Sequence, residues 1–546
     1  MLVRLTRISF VNVGVVQKEL MGIETVIPQV PLGLLVGNMY WAFAAVLIGY
    51  AGLLLLIGFV AQKRINNVED FVLAGRQLTT GLATITMIAT WFGAESLMTT
   101  TDEVAEHGIR KAMLDPFGIS MCLLIAGLFV ARPLWRMGLM TIPDFFRQRY
   151  GRLAETLSAC ILVPSYFGWI AAQYLALGTL LEQFFGLPIS VGVIGVAILA
   201  VSYSLMGGMW SVTWTDTLQM VVVVVGLLLV GFEILWHLGE GSLALGWTRL
   251  RFESDPTMWM IAAEPDSKAK VMAAISALVI GSLGNLPVQD LMQRICSSAS
   301  EHVARRACIL AAFGYLCMGM LPIAAGLAAS QLLDPVPADG VLTELAERLL
   351  SPTLLLVFVL AVVSTVLSTV VSAVMAPAAV LSQNLLQPCA QRFGRLTSEG
   401  SRLRLQRLSV IVIAALSVIL ALSGSDSYSL VESSYSLSLV GTFAGFAFGL
   451  YPSSGPRLAA PEITARRLAA PRIAALGSMV VGVGMWLLHV SLGWEYFFQP
   501  LVEHNSKMEI LQLISVIPHE LVDTLFSVAT FLILWGVAIF GNREKV

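Results

Sequence analysis

The chain is a succession of apolar runs, each about as long as a bilayer is thick, separated by short charged loops. A hydrocarbon core takes about 20 apolar residues per helix. Thirteen stretches meet that length: 39–62, 81–101, 113–137, 153–182, 187–207, 215–238, 271–292, 307–331, 351–382, 408–424, 428–451, 473–491 and 521–541. A water-soluble fold could not cover so much apolar surface. Of the 546 residues, 57% are hydrophobic and only 12% charged, about half the charge of an ordinary soluble domain. The expected class is an all-α polytopic membrane protein with no room for a sizeable soluble domain.

Lysine and arginine set the expected orientation. With the N-terminus outside and the C-terminus inside, 22 of the 33 basic residues fall in inner loops and 8 in outer loops. Cytoplasmic loops carry such an excess, so a multi-pass cell-membrane protein with a cytoplasmic C-terminus is expected. Residues 1–38 read as a leader, with no clean apolar signal core after Arg4, Arg7 and Lys18. Residues 39–80 form a peripheral helix and a cytoplasmic loop, 81–451 a ten-helix core, and 452–546 two peripheral helices.

Within the core, Met87–Thr100 (MIATWFGAESLMTT) is unlike an ordinary span, because it carries Thr90, Gly93, Glu95 and Ser96. A spanning helix must satisfy its backbone internally, and it opens only where protein or water surrounds it. Carbonyl oxygens exposed at such an opening can coordinate a small hard cation. Glu95 is a functional-site candidate because charge inside a span is costly. The run 271–292 is interrupted at a matching place by Gly281, Gly284, Asn285 and Pro287. Paired interruptions of this kind point to an inverted five-plus-five repeat, 81–238 and 271–451, with a transport site at the breaks.

Several functions lack support. There is no phosphate loop and no GxGxxG after a strand, so nucleotide-driven pumping is not expected. No nucleophile, base and orienting acid stand in a suggestive pattern, and an enzyme is not expected. The six cysteines form no CxxC pair and the six histidines show no ligand-like spacing, so neither disulfides nor a transition-metal site nor any cofactor is expected.

Five segments resemble the sodium:solute symporter family, in family order: EDFVLAGRQL, TIPDFFRQRYG, GGMWSVTWTDTLQ, LPVQDLMQR and LSTVVSAVMAPAAVLSQNLL. The resemblance implies the inverted five-helix repeat also seen in amino-acid transporters, and uptake of a small solute coupled to sodium. It further implies a sodium site built from the carbonyls of Ala89, Phe92 and Thr365 and the hydroxyls of Ser368 and Thr369. Positions 365, 368 and 369 do share one helix face, and neutral oxygens suit a monovalent ion that must bind and leave. The alternative for these hydroxyls is a bond to a carbonyl of their own helix.

IATWFGAE and SYFGWIAAQYLALG resemble the high-affinity choline transporter branch, which points to Trp91 and Trp169 as aromatics facing the solute. Aromatic faces hold amines by cation–π attraction, with Glu95 and Asp115 as counter-charges, so a zwitterionic or cationic amine is the expected solute. Val288 and Ile119 stand where the choline carriers place further aromatics. Glu95 has a second reading, as a partner for exposed backbone at the break. Asn285 and Gln289 read either as solute ligands or as partners for the amides of the interrupted helix. Ser433, Ser434 and Ser436 read as pocket lining or packing residues, Asp216 as an N-terminal cap of 215–238, and Asp290 as an i,i+4 partner of Arg294. Arg132 and Arg136, around Trp135, read as an interfacial anchor, and Glu103, Glu106, His107 and Arg110 as solvated groups. A proton-coupled carrier of the same fold would need an ionisable group at the ion site, and a solute sensor would need an output domain after 521–541. Neither is expected here.

Overall fold

The computed structural model describes residues 38–253, 255–260, 267–392, 398–423, 427–451, 461–492, 494 and 518–540. The expected leader, up to residue 37, and the C-terminal NREKV lie outside the described residues. The main helices are α1 (Asn38–Ala61), α2 (Thr80–Trp91), α3 (Thr100–His107), α4 (Arg152–Phe185), α5 (Ile189–Leu238), α6 (Ser267–Leu283), α7 (Gln289–Ser297), α8 (Glu301–Leu332), α9 (Pro352–Val380), α10 (Glu399–Ala421), α11 (Ser427–Leu450), α12 (Pro461–Leu492) and α13 (His519–Phe540). The apolar run Ile109–Arg136 lies between α3 and α4. One isolated bridge pairs Leu78 with Ser298.

Nine helical runs among the described residues are long and apolar enough to cross a bilayer. The sequence expectation of thirteen differs partly because interruptions divide or merge the runs. The segments around 81–101 and 271–292 each break into shorter pieces. Conversely, α5 brings two expected helices together across a kink. Its backbone turns at Gly208, with φ 50° and ψ −140°, a conformation open to glycine and strained for other residues. A Cβ at Gly208 would also lie 2.5 Å from the Phe71 carbonyl oxygen.

The place of this turn corrects the reading of Asp216 as a helix cap. Asp216 lies about two turns beyond Gly208, inside α5, fully buried. Its carboxylate accepts the Thr86 hydroxyl of α2 instead of capping a free helix end.

The centre of the molecule is α9, buried on every side from Ala361 to Val380. A helix that is apolar all round seeks such a place, and its few hydroxyls (Ser364, Thr365, Ser368, Thr369, Ser372) are therefore enclosed. The segments that carry the family resemblance meet at one end of the bundle. Thr141 forms a capping box with Asp144 at the helix Ile142–Tyr150, which satisfies two otherwise orphaned amides. Asn384, just beyond α9, accepts the Thr141 hydroxyl at 2.7 Å and donates to Asp144 and Glu155 at 3.0 Å each. Arg76 donates to the carbonyls of Gly138 and Leu139. At the same end Arg136 pairs with Glu301 and Trp135 donates to the Ser298 carbonyl at 2.9 Å. The group expected as an interfacial anchor thus also ties the run Ile109–Arg136 to the start of α8.

Candidate functional site

The helix begun at Thr80 stops at Trp91. Phe92 leaves helical geometry (φ −75°, ψ 83°), and a wide turn from Glu95 to Thr99 resumes the path into α3. Breaking a helix frees amides and carbonyls that must find other partners, and here side chains from other helices supply them. The Ala94 amide donates to Gln173 Oε1 of α4 at 2.8 Å. The Trp91 carbonyl lies 3.0 Å from Tyr315 Oη of α8 and 3.0 Å from Ser96 Oγ. The Ala89 carbonyl receives the Thr369 hydroxyl of α9 at 3.3 Å.

Thr369 thus reaches across to the broken helix, and Ala89 and Thr369 of the implied sodium set are in contact. Ser368 donates to the Thr365 carbonyl at 2.7 Å and Thr365 to Ala361 at 2.9 Å, the own-helix alternative. Phe92 is buried beside the same break, with its ring edge-on to Tyr315 at 5.6 Å.

Behind the break lies a tight polar cluster. Ser96 Oγ sits 2.6 Å from both Asp115 Oδ2 and Tyr315 Oη, and Tyr315 Oη is 3.0 Å from each Asp115 oxygen. Tyr315 thereby serves a freed carbonyl and a buried carboxylate at once. Removing its hydroxyl in Tyr315→Phe leaves them short of a donor, at a cost of about 1–3 kcal/mol. The expected outcome is a lower melting temperature of the purified protein and slower uptake; a melting curve identical to that of the parent would show the hydroxyl to be dispensable.

Two narrow cavities flank this region. The first is lined by Glu95, Thr99, Glu103, Lys111, Asp115 and Tyr435, among others. Glu103 was expected to be solvated; its carboxylate instead lines this cavity, 3.0 Å from Lys111 Nζ. The second is lined by Tyr166, Trp169, Asn285, Asp290, Ser434 and Tyr435, with Ser165, Val288 and Ser438. Tyr435 borders both. Trp169 Nε1 donates to Glu95 Oε1 at 2.7 Å, so one hydrogen bond links a wall of each. Gln173 also donates to the other Glu95 oxygen.

The expected solute residues divide accordingly. Trp169 and Asn285 line the second cavity and Glu95 the first. Asn285 also donates to the Gly281 carbonyl of its own interrupted helix at 2.9 Å. Trp91 is 2% exposed and lines neither. Gln289 also lines neither. Its Oε1 accepts the Ile142 amide at 2.7 Å and its Nε2 donates to the Met140 carbonyl at 3.1 Å. A carboxamide satisfied by a neighbouring turn does not face solute, and Gln289 is corrected to a brace for that turn. Ser433 is exposed, not pocket-lining; Ser436 is buried but lines neither cavity; Ser434 accepts the Trp169 amide at 3.1 Å.

Sequence reading missed Tyr166 and Tyr435. Their rings lie 6.0 Å and 6.2 Å from Trp169, centroid to centroid. Tyr166 was legible in principle, three residues before Trp169 on the same helical face. The Asp290–Arg294 pairing also needs correction. Asp290 accepts the Tyr166 hydroxyl at 2.5 Å, whereas Arg294 donates to Ser372 at 2.5 Å and reaches only the backbone carbonyl of Asp290.

A model of the sodium:solute symporter family matches residues 71–454, more than half of the chain. The chain belongs to the sodium:solute symporter family. It is a multi-pass membrane protein of that transporter family. It is 30% identical over 286 residues to the human high-affinity choline transporter 1, covering 50% of this chain and 48% of that protein. The symporter thus spans about half the length of the choline transporters it matches. It is 24% identical over 465 residues to the high-affinity proline transporter of Bacillus subtilis, covering 82% and 92%. Its fold is that of a substrate-bound, outward-open Na+-coupled sialic acid symporter (TM-score 0.71, 17% identity, 92% of this chain and 98% of that chain). A nucleobase-cation-symport-1 family transporter in a closed conformation is also similar (TM-score 0.52, 13% identity, 85% and 94%).

Proposed function

We propose that this symporter imports a small zwitterionic or cationic amine together with sodium, by alternating access. In this reading, thirteen helices cross the membrane, the two five-helix repeats span 81–238 and 271–451, and the C-terminus faces the cytoplasm. Sodium sits between the carbonyls of Ala89, Phe92 and Thr365 and the hydroxyls of Ser368 and Thr369. It ties the broken helix to α9, and loss of that tie as the two separate releases ion and solute inward.

The observation that carries the solute class is the second cavity, where Tyr166, Trp169 and Tyr435 stand beside the Asp290 carboxylate. Asp290 Oδ2 is buried without a hydrogen-bond partner. Electron-rich ring faces and an acceptor of this kind complement a desolvated ammonium group. The choline and proline transporters among the relatives carry amines, which supports the same class. The decisive assay is uptake of radiolabelled choline and proline into proteoliposomes under an imposed sodium gradient. Uptake of either, driven by sodium and competed by related amines, is the expected result. Uptake confined to sugars or organic acids would overturn the solute class.

Trp169→Leu is expected to raise KM for the solute by up to about 30-fold, since a desolvated cation–π contact is worth about 2 kcal/mol. An unchanged KM would remove Trp169 from the solute site. A proton-coupled reading draws on Glu95 and Asp115, both buried beside the break. Uptake driven by a proton gradient in potassium would favour it.

A further inference from the structure

The sequence spacing of the histidines gave no reason to expect a transition-metal site, yet the fold brings His489, His519 and Asp523 together. Asp523 Oδ2 lies 3.0 Å from His489 Nδ1 and 3.3 Å from His519 Nδ1, and one donor atom from each residue lies within 4.8 Å of the others. Residues 489 and 519 sit at facing ends of two successive helices, and 519 and 523 are one turn apart on α13, so only the packing of α12 on α13 assembles the set. We propose that these three side chains form a zinc-class metal site that clasps α12 to α13.

The donors are two imidazole nitrogens and one carboxylate oxygen, a set that suits Zn2+. A tetrahedral ion with bonds of about 2.0–2.1 Å holds its ligand atoms about 3.3 Å apart. The separations of 3.0 and 3.3 Å to Asp523 Oδ2 are close to that spacing, and the two imidazole donors lie within 4.8 Å of each other.

The surroundings agree. His519 Nε2 lies 3.1 Å from Glu520 Oε1. A metal-ligating histidine commonly gives its second N–H to a carboxylate, which fixes the tautomer that presents the other nitrogen. Asp523 is fully buried and its Oδ1 has no hydrogen-bond partner. A buried carboxylate with an unmet oxygen is costly, and an adjacent cation offsets that cost. His519 and Glu520 are 11% and 15% exposed, which leaves an entry edge. Three protein donors also leave a coordination position for water, the pattern of an exchangeable site.

The test uses the full-length protein, stripped with a chelator in detergent. Zn2+ is titrated while thermal unfolding is followed, and Co2+ is added separately as a spectroscopic probe. The expected result is saturable binding of one Zn2+ per chain with a rise in melting temperature, and the visible bands of tetrahedral Co2+. His489→Gln and Asp523→Asn should each weaken binding about 100-fold and abolish the Co2+ bands, and Glu520→Gln should weaken it about tenfold. Should Asp523→Asn fold poorly, the Co2+ spectrum of His489→Gln decides. No saturable Zn2+ binding would overturn the proposal and leave a hydrogen-bonded brace between the helices. Binding unchanged in the histidine variant would place the metal elsewhere and overturn it equally. Neither result bears on the sodium and solute sites.

Discussion

Replacing Ser368 and Thr369 together by alanine is expected to raise the sodium concentration for half-maximal uptake by about 100-fold or more. A contact between a charge and a polar group is worth about 1.5–3 kcal/mol, and each 1.4 kcal/mol is tenfold in affinity, so two lost oxygens reach that range. Both side chains are fully enclosed in α9, and Thr369 already bridges to the Ala89 carbonyl. Alanine is the best helix former and removes little volume here, so α9 should persist. Thr369→Ser keeps the oxygen and should stay near parental sodium dependence. If the serine variant fails as badly as the double alanine, the loss is one of packing and not of ion binding.

Gly93→Ala is the second large effect. A Cβ at this position would lie 2.6 Å from Glu95 Oε2, 2.7 Å from Gln173 Oε1 and 2.9 Å from the Thr369 methyl. Those three groups hold the break open and face the proposed ion and solute sites, so the added methyl must displace at least one of them. Overpacking of this kind costs about 1–3 kcal/mol, here at the point where the sites meet. Uptake should fall tenfold or more while the protein remains folded and monodisperse. Gly81→Ala, at the start of α2 with nothing within 4 Å of the added methyl, should be silent. Equal uptake by both variants would show that the close approach at Gly93 is not needed.

Much of the architecture was legible because membrane helices report themselves locally. The break at Phe92–Ala94 announced itself through Gly93 and Glu95, residues that an uninterrupted span would not carry. What remained hidden depended on packing between distant segments. Asp216 looked like a helix cap because nothing local shows that its helix already begins at the Gly208 turn. Asp290 looked like a partner for Arg294 because i,i+4 spacing is visible, whereas the approach of Tyr166 from another helix is not. Trp91 was assigned to the solute through the choline-branch resemblance and Gln289 through its place at the interrupted helix, and neither ground shows which neighbours enclose the side chain. Tyr435, which borders both cavities, stands on α11 among serines that gave no aromatic pattern. His489, His519 and Asp523 were invisible for the same reason, since their meeting depends on how α12 packs on α13.

The most direct test of sodium binding between the broken helix and α9 is the melting temperature of the purified protein in sodium against potassium, with and without choline or proline. A ligand that binds only the folded state raises that temperature by mass action. The expected result is a higher melting temperature in sodium, a further rise with an amine in sodium alone, and loss of both in Ser368→Ala/Thr369→Ala. Equal melting in the two cations, or a sodium-specific rise that survives in the double variant, would contradict the assignment.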